Sequence, residues 1–166
     1  MADPENTILM ETSKGSVTIE LRPDLAPGHV ARIKELAREG FYDGIVFHRV
    51  ISGFMAQVGC PKGTGMGGSS KPDLKAEFNA EPHVRGTCSM ARTSAPNSAN
   101  SQFFICFDDA SFLNKQYTVW GKVTEGMDVI RKVESVGSQS GTTSRPVTIA
   151  SSGQLDAAAP GQVNAD

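Results

Sequence analysis

Short segments in which apolar and polar residues alternate, separated by Gly and Pro, constrain the fold of this 166-residue chain more than any other feature. In the clearest of them, Val17, Ile19 and Leu21 alternate with polar residues, and this period of two predicts a strand with one buried face. The same criteria predict eight strands, at residues 8–12, 16–21, 46–51, 54–58, 87–91, 102–107, 118–123 and 147–151. So many short strands favour an antiparallel barrel or a sandwich.

Two further segments have the spacing of amphipathic helices. Residues 27–39 begin with Pro27 and are followed by Gly40, the expected asymmetry between the start and the end of a helix. Residues 127–135 place three apolar side chains on one stripe. A mainly β fold, a closed eight-stranded antiparallel barrel capped by two helices, would bury both apolar stripes.

The composition narrows the classes of function. Hydrophobic residues make up 39% and charged residues 20%, which is typical of one globular domain. The net charge is −2 without a clustered basic stretch, so neither nucleic acid nor a membrane surface is an expected partner. The first residues do not resemble a secretory signal, and no apolar run approaches the ~20 residues of a membrane span. The cytoplasm is therefore the expected location.

The cysteine and glycine motifs indicate no metal and no cofactor. Three cysteines cannot all pair with one another, which favours free thiols in a reducing compartment. Cys60, His83 and Cys88 could form a zinc site or a nucleophile–base pair, but their spacing is irregular and lacks a fourth ligand. Residues 63–68 formally match a dinucleotide fingerprint, but Pro72 opposes the helix that should follow. A tight, mobile surface loop is predicted there instead.

Residues 47–57 set one arginine and one glutamine among bulky apolar side chains. Strand alternation places Arg49 on the same face as Phe47 and Ile51. There it could either cover apolar surface with its stem or serve a functional site, and the pattern leaves both roles equally open. His48 falls on the opposite face, which favours a core histidine over a base.

A second stretch, residues 102–107, is rich in aromatic side chains. Gln102, Phe104 and Cys106 share one face, and both faces are largely apolar. A central core strand is favoured, although one face could instead form the floor of a pocket with Gln102 as its donor. Neither stretch supplies a serine–histidine–acid set or paired carboxylates, so the pattern indicates an apolar pocket without a proton shuttle.

Over about residues 7–155 the sequence resembles the cyclophilins, a family of peptidyl-prolyl cis-trans isomerases. The resemblance is carried by residues 47–57 (FHRVISGFMAQ), 101–105 (SQFFI), 86–91 (GTCSMA) and 119–127 (VWGKVTEGM). The spacing across residues 91–102 is similar to that of the short bacterial subgroup. The resemblance implies a cyclophilin-like barrel capped by two helices, in a domain of residues 7–155 between flexible termini at 1–6 and 156–166.

The resemblance also implies the residues of the site. Arg49 would be the catalytic residue, and no metal or cofactor would take part. The substrate-binding residues would be Phe54, Met55, Gln57, Ala91, Arg92, Gln102, Phe104, Phe112, Leu113 and Tyr117. Four apolar members of this set would hold the proline ring, and Gln57 would steady the substrate carbonyl.

Two positions depart from the common family pattern. Many members carry Trp where this chain has Phe112, which keeps the apolar wall but lacks the indole N–H donor. Binding of the inhibitor cyclosporin is therefore expected to be weakened. Many members carry His where this chain has Tyr117, and a tyrosine can still close the rim of the pocket.

The expected partners are proline-containing peptides and unfolded or folding proteins, and the protein is expected to act as a monomer. The alternative function is a proline-peptide binding or chaperone module whose catalysis is incidental. The presence of Arg49 favours the enzyme, because binding alone requires only the apolar pocket.

Overall fold

The computed structural model describes residues 6–154, and its elements follow the predicted order. The eight strands are β1 (Thr7–Thr12), β2 (Gly15–Leu21), β3 (Arg49–Ile51), β4 (Met55–Val58), β5 (Thr87–Met90), β6 (Phe103–Cys106), β7 (Val119–Glu125) and β8 (Ile149–Gln154). The two helices are α1 (Pro27–Arg38) and α2 (Met127–Glu134). The prediction of a mainly β fold with two helices is confirmed. Residues 1–5 and 155–166 lie outside the described residues, so the expected flexibility of the termini stays a prediction.

All eight strands belong to one antiparallel sheet, in the order β3-β4-β6-β5-β7-β2-β1-β8. The sequence places β1 and β2 side by side through a tight turn, in which Thr12 Oγ1 donates to the carbonyl oxygen of Gly15 at 2.8 Å. Register shifts interrupt the β1–β8, β2–β7 and β5–β7 pairings. Such irregularities bend and twist strands, so the sheet is curled rather than flat.

The prediction that the eight strands close into a barrel is wrong. The edge strands β3 and β8 do not pair with each other as strands among the described residues. A single bridge between Val46 and Thr148, with a hydrogen bond from the Phe47 N–H to the Val147 carbonyl oxygen at 2.8 Å, joins the segments that precede them. These segments precede β3 and β8, so the two edge strands form no ladder with each other and the sheet stays open and curled.

The main core lies between the sheet and the two helices. Helix α1 buries Val30, Ile33 and Leu36, and α2 buries Ile130 and Val133, as their helical spacing predicts. Helix α1 packs on β7 and β8, whereas α2 packs on β2, β3 and β4. Each fully buried Leu, Ile or Val stabilises the fold by about 1.5–3 kcal/mol. Neither helix within residues 6–154 has the length and apolarity that a membrane crossing requires.

Strand β6 separates this core from a smaller apolar cluster. Phe103 and Ile105 point into the main core, whereas Phe104 and Cys106 point to the other side. The outer cluster consists of Met55, Phe104, Cys106 and Ala110. The predicted alternation along this strand is confirmed, and the outer cluster places an apolar surface on the far side of the sheet.

The prediction that Phe47, Arg49 and Ile51 share one face of a strand is wrong for Phe47. Phe47 is buried in the main core, whereas Arg49 is exposed and Ile51 packs against the outer cluster. Strict alternation begins only at Arg49, because residues 46–48 lie outside the strand ladder. The predicted core role of His48 is also wrong. Its ring is half-buried, and its Nδ1 atom has no hydrogen-bond partner among the described residues.

Candidate active site

An open groove of about 170 Å³ lies over the outer cluster. Its lining consists of Arg49, Phe54, Met55, Gln57, Ala91, Arg92, Phe104, Leu113 and Tyr117. All nine belong to the eleven positions that the family resemblance implies. The other two lie next to the groove: Gln102 lines an adjoining cavity, and the Phe112 ring packs 5.5 Å from that of Phe54.

The floor of the groove is apolar and rigidly supported. Met55 and Phe104 come from the neighbouring strands β4 and β6, and both side chains are buried. The Phe104 ring is stacked on the His83 ring at 6.0 Å, and the Tyr117 ring meets it edge-on at 5.7 Å. Such aromatic packing holds a flat apolar surface in place, which suits a small ring of a ligand.

His83 supports this floor and is not placed as a base in the groove. Its Nε2 atom lies 2.9 Å from Ser89 Oγ and its Nδ1 atom 3.2 Å from Asn114 Oδ1, and burial lowers the pKa of the ring. Both ring nitrogens are therefore engaged, and no histidine–cysteine pair forms. Within residues 6–154, no group of three or more His, Cys, Asp and Glu side chains is arranged to hold a metal ion.

Arg49 lines one side of the groove from the edge strand β3. In the β3–β4 register it stands opposite Gln57, and its Nη1 donates to Gln57 Oε1 at 3.3 Å. The stem of Arg49 lies close to Gly141, where an added Cβ would come within 2.9 Å of the arginine Cγ. No carboxylate lines the groove, so its lining does not neutralise the guanidinium charge.

A chain of side-chain amides holds Gln57 in one orientation. Gln102 Nε2 donates to the carbonyl oxygens of Gly65 and Gly67, at 2.9 and 2.8 Å. Because both amide hydrogens are used there, its Oε1 must accept, and Gln57 Nε2 donates to it at 2.9 Å. The oxygen of Gln57 consequently faces Arg49. We call Gly65, Gly67, Gln102, Gln57 and Arg49 the amide chain.

The loop at residues 63–68, which sequence patterns predict to be mobile, thus takes part in ordering the site. Gly59, which precedes this loop and has a φ of 108°, permits a close approach to the backbone just before β6. A Cβ on Gly59 would lie 2.4 Å from the carbonyl oxygen of Ser101. Sequence reasoning missed Gly65 and Gly67 as site residues, because backbone carbonyl contacts leave no side-chain signal.

Cys60 also anchors this loop and differs from the other two cysteines. The Gly67 N–H donates to Cys60 Sγ at 3.2 Å. Burial opposes ionisation of this thiol, but hydrogen bonds from backbone groups, Gly67 first and then Thr64, outweigh it and lower the pKa to about 6. In contrast, burial raises the pKa of Cys88 and, to about 12, that of Cys106. Both thiols are buried among apolar side chains, Cys88 in the main core and Cys106 in the outer cluster.

One rim of the groove is formed by a short 3-10 helix, Ser111–Leu113, which the sequence patterns did not predict. Three residues are too few for a periodic signal. Leu113 lines the groove, whereas Phe112 is 65% exposed and leans on Phe54. An exposed aromatic ring at a groove rim is available to a bound ligand.

A second rim of the groove contains Arg92 and Tyr117, and Arg92 there contacts a residue that sequence reasoning missed. The guanidinium carbon of Arg92 lies 4.9 Å from the centroid of the Tyr117 ring and 5.7 Å from that of Phe78. Phe78 stands in a polar segment without periodicity, so only the tertiary contact shows its role. Beyond this rim lies the adjoining cavity of about 320 Å³, which shares Gln57, Ala91 and Arg92 with the groove.

The lining of the groove contains no serine, cysteine, histidine or carboxylate. It can hold an apolar ring and donate hydrogen bonds, but apart from the Tyr117 hydroxyl it offers no nucleophile and no group for proton transfer. The fold and the groove together define a class of protein that holds an apolar ring of its ligand on a sheet surface, beside a guanidinium donor.

Comparisons with known proteins identify that class. A family model described as cyclophilin type peptidyl-prolyl cis-trans isomerase matches residues 7–154. A probable peptidyl-prolyl cis-trans isomerase of Brucella suis is 60% identical over 144 residues, covering 80% of this chain and 74% of the relative. Peptidyl-prolyl cis-trans isomerase B of Bacillus subtilis is 45% identical over 121 residues, covering 72% of this chain and 83% of the relative.

Solved structures agree with these relatives. The cyclophilin AquaCyp293 of Hirschia baltica superposes with a TM-score of 0.84 at 33% identity, covering 96% of this chain and 77% of the other. A cyclophilin-type isomerase of Cryptosporidium parvum, crystallised in the presence of the dipeptide Ala-Pro, superposes with a TM-score of 0.85 at 28% identity, covering 90% and 99%. The chain belongs to the cyclophilin-type peptidyl-prolyl cis-trans isomerase family, and its activity is the isomerisation of X-Pro peptide bonds.

Proposed function

We propose that Arg49 is the catalytic residue and that the groove grips the proline ring of the substrate while the preceding part of the peptide rotates. The observation that carries this proposal is the placement of the Arg49 guanidinium beside an apolar floor, oriented by Gln57, with no carboxylate in the lining. The Ala-Pro dipeptide present with the Cryptosporidium relative supports a proline-binding role for the groove.

Rotation about the X-Pro bond must overcome amide resonance, a barrier of about 18–20 kcal/mol. A turnover on the order of 10³ per second requires roughly 6–8 kcal/mol of selective stabilisation of the transition state. As the bond twists, the prolyl nitrogen becomes pyramidal and gains a lone pair. A guanidinium that donates to this nitrogen binds the twisted state better than the planar one, which lowers the barrier.

The other groove residues position the substrate. Met55, Phe104 and Leu113 hold the proline ring, with Phe54 at the rim, so that one side of the bond is fixed while the other turns. Gln57 steadies the carbonyl of the substrate. Ala91, Arg92 and Gln102 border the path of the peptide, and Tyr117 and Phe112 form its two rims.

The test is an isomerisation assay on a proline peptide, measured by NMR exchange so that no coupling protease is needed. Arg49→Ala is expected to lower kcat/KM by about 10²–10³-fold, because it removes the donor made for the twisted state. Arg49→Lys keeps the charge without the rigid donor fork, so it should retain only part of the activity.

Arg85→Ala is the matched control, since Arg85 is exposed and does not line the groove. Full activity of Arg49→Ala would contradict the assigned role of Arg49. A wild-type protein that binds proline peptides without accelerating their isomerisation would instead support the alternative of a binding module.

We further propose that unfolded and folding proteins are the larger substrates, and that the protein acts as a monomer in the cytoplasm. Three buried free cysteines among the described residues support a reducing compartment. The affinity for cyclosporin is proposed to be weak, because Phe112 contributes an apolar ring without an N–H donor to the rim.

A further inference from the structure

The guanidinium group of Arg92 is held in place by backbone carbonyl groups. Its Nε donates to the carbonyl oxygen of Gln116 at 2.8 Å, and its Nη1 donates to those of Thr93 and Ser94 at 2.9 and 3.3 Å. Its Nη2 makes no hydrogen bond to any residue within 6–154. A fixed cation with one nitrogen still available is arranged to donate to a ligand.

Two aromatic rings also contact the guanidinium group of Arg92. The guanidinium carbon lies 4.9 Å from the Tyr117 ring centroid and 5.7 Å from the Phe78 ring centroid. Both distances are within the range of cation–π attraction. Phe78 is 41% exposed and does not line the groove, so within the described residues its contact with Arg92 is the interaction that connects it to the site.

The groove beside Arg92 has a one-sided charge. Arg49 and Arg92 both line it, and no Asp or Glu does, although the whole chain carries a net charge of −2. Asp73 lines the adjoining cavity, which Arg92 also lines, and there it accepts a hydrogen bond from Asn100 at 3.1 Å. Glu77, the neighbour of Phe78 in sequence, lies 2.6 Å from the His29 ring. The two positive charges of the groove are therefore left for a ligand.

We propose that Arg92 determines specificity by selecting proline peptides that carry a carboxylate side chain close to the proline. This inference rests on the proposed function of the groove and names the substrate class that it prefers. The hydrogen bonds and stacked rings already order Arg92, so a substrate carboxylate gains its charge-assisted hydrogen bond without ordering a long flexible side chain. A lysine or arginine in the same place on the peptide is repelled.

The test uses short peptides that are identical except for one position, occupied by Glu, Gln or Lys. The variable position is placed in turn one residue before, two residues before and one residue after the proline. For at least one placement, we expect kcat/KM of the Glu peptide to be about fivefold higher than that of the Lys peptide. This difference corresponds to the free energy of a partly exposed ion pair. Raising the ionic strength to about 0.5 M should reduce this ratio.

Three variants assign the preference to Arg92. Arg92→Gln should bring the Glu/Lys ratio close to one, Phe78→Ala should reduce it because the guanidinium loses one stacking partner, and Lys122→Gln should leave it unchanged. Lys122 is exposed on β7 and does not line the groove, and Lys122→Gln removes the same charge as Arg92→Gln. The Glu/Lys ratio compares two peptides on the same variant. A general loss of activity lowers kcat/KM for both peptides and therefore leaves the ratio unchanged.

The inference would be overturned if the Glu/Lys ratio of kcat/KM were the same in the wild type and in Arg92→Gln. In that case isomerisation of the Gln peptide would show that the proposed function still holds. If the wild type failed to accelerate the Gln peptide, the proposed function would fall, and this inference with it.

Discussion

At the scale of single residues, the site depends on how polar groups are oriented rather than on their number. Arg49 makes one long hydrogen bond of 3.3 Å to Gln57, and the direction of that amide is set by Gln102. An amide that turned around would present its NH₂ group to a guanidinium, two donors facing each other. The amide chain therefore keeps an acceptor beside Arg49, the proposed catalytic cation.

Replacing Gln102 with glutamate tests whether the orientation of the amide chain matters for activity. Gln102→Glu is nearly isosteric but places a carboxylate against the carbonyl oxygens of Gly65 and Gly67, which lose both donors. We expect kcat/KM to fall about tenfold, corresponding to roughly 1–2 kcal/mol for polar groups left unpaired. The NMR exchange assay measures the loss.

Gln139→Glu is the control for this substitution, since Gln139 is exposed and the change in charge is the same. A Gln102→Glu variant with the activity of the wild type would show that the orientation of the amide chain has no part in catalysis.

At the scale of elements, the strands supply the floor and the connecting segments supply the rims. Met55 and Phe104 are placed by the β4–β6 pairing, in which Gln57 stands opposite Phe104. The rims come from the 3-10 helix Ser111–Leu113 and from the segment around Arg92. Rims on short or irregular elements can vary without disturbing the sheet, so differences in ligand preference are expected there.

The substitution Phe112→Trp tests the contribution of the 3-10 helix. The larger ring adds apolar contact and an indole N–H at the rim, so cyclosporin should bind about tenfold more tightly, as one further hydrogen bond and contact imply. Isothermal titration of cyclosporin measures the change. Phe112 is exposed, so the fold should tolerate the larger side chain.

Val84→Trp adds an indole at an exposed apolar position outside the groove lining and serves as the control. Equal cyclosporin affinity of the wild type and Phe112→Trp would show that the missing N–H donor does not limit binding.

At the scale of the whole molecule, the fold lowers the pKa of all three histidines. Burial lowers the pKa of His29, outweighing the opposite effect of its hydrogen bond with Glu77. Burial also lowers the pKa of His83, and burial followed by the charge of Arg49 lowers that of His48. His29 Nε2 and His48 Nδ1 have no hydrogen-bond partner among the described residues, so neither site offers an acceptor for an added proton.

The stability of the fold should consequently fall in mild acid. A histidine whose pKa is lower in the folded state is protonated first in the unfolded chain, below its ordinary pKa of about 6.5. The stabilisation is complete above that pH and is lost as the pH falls through the lowered folded-state pKa. We expect the free energy of unfolding in urea to be lower at about pH 5 than at about pH 7.5.

His48→Gln should flatten this dependence, because it removes one of the titrating groups from a half-buried position. The lowered pKa values of Glu77 and Asp24 act in a separate range, below their ordinary values near 4. A free energy of unfolding that stayed constant down to pH 5 would contradict the assignment of the three histidines.

The sequence by itself determined the order of elements and the apolar faces. Alternation along β6 predicts which side chains enter each cluster, and the helical stripes predict the buried faces of α1 and α2. These features follow from local periodicity, since side chains alternate on a strand and repeat every 3.6 residues on a helix. The motifs around Arg49 and Gln102 were sufficient for the family resemblance, which supplied the eleven site positions.

Only the tertiary structure decided how the sheet ends and how the site is ordered. The open edge between β3 and β8, the burial of Phe47 and the contact of Phe78 with Arg92 depend on segments far apart in sequence. The amide chain likewise joins a glycine loop to Arg49 through backbone carbonyl groups, which every residue carries. Periodicity reports the environment of a side chain along its own strand, whereas these features arise from contacts between strands and loops that no local pattern encodes.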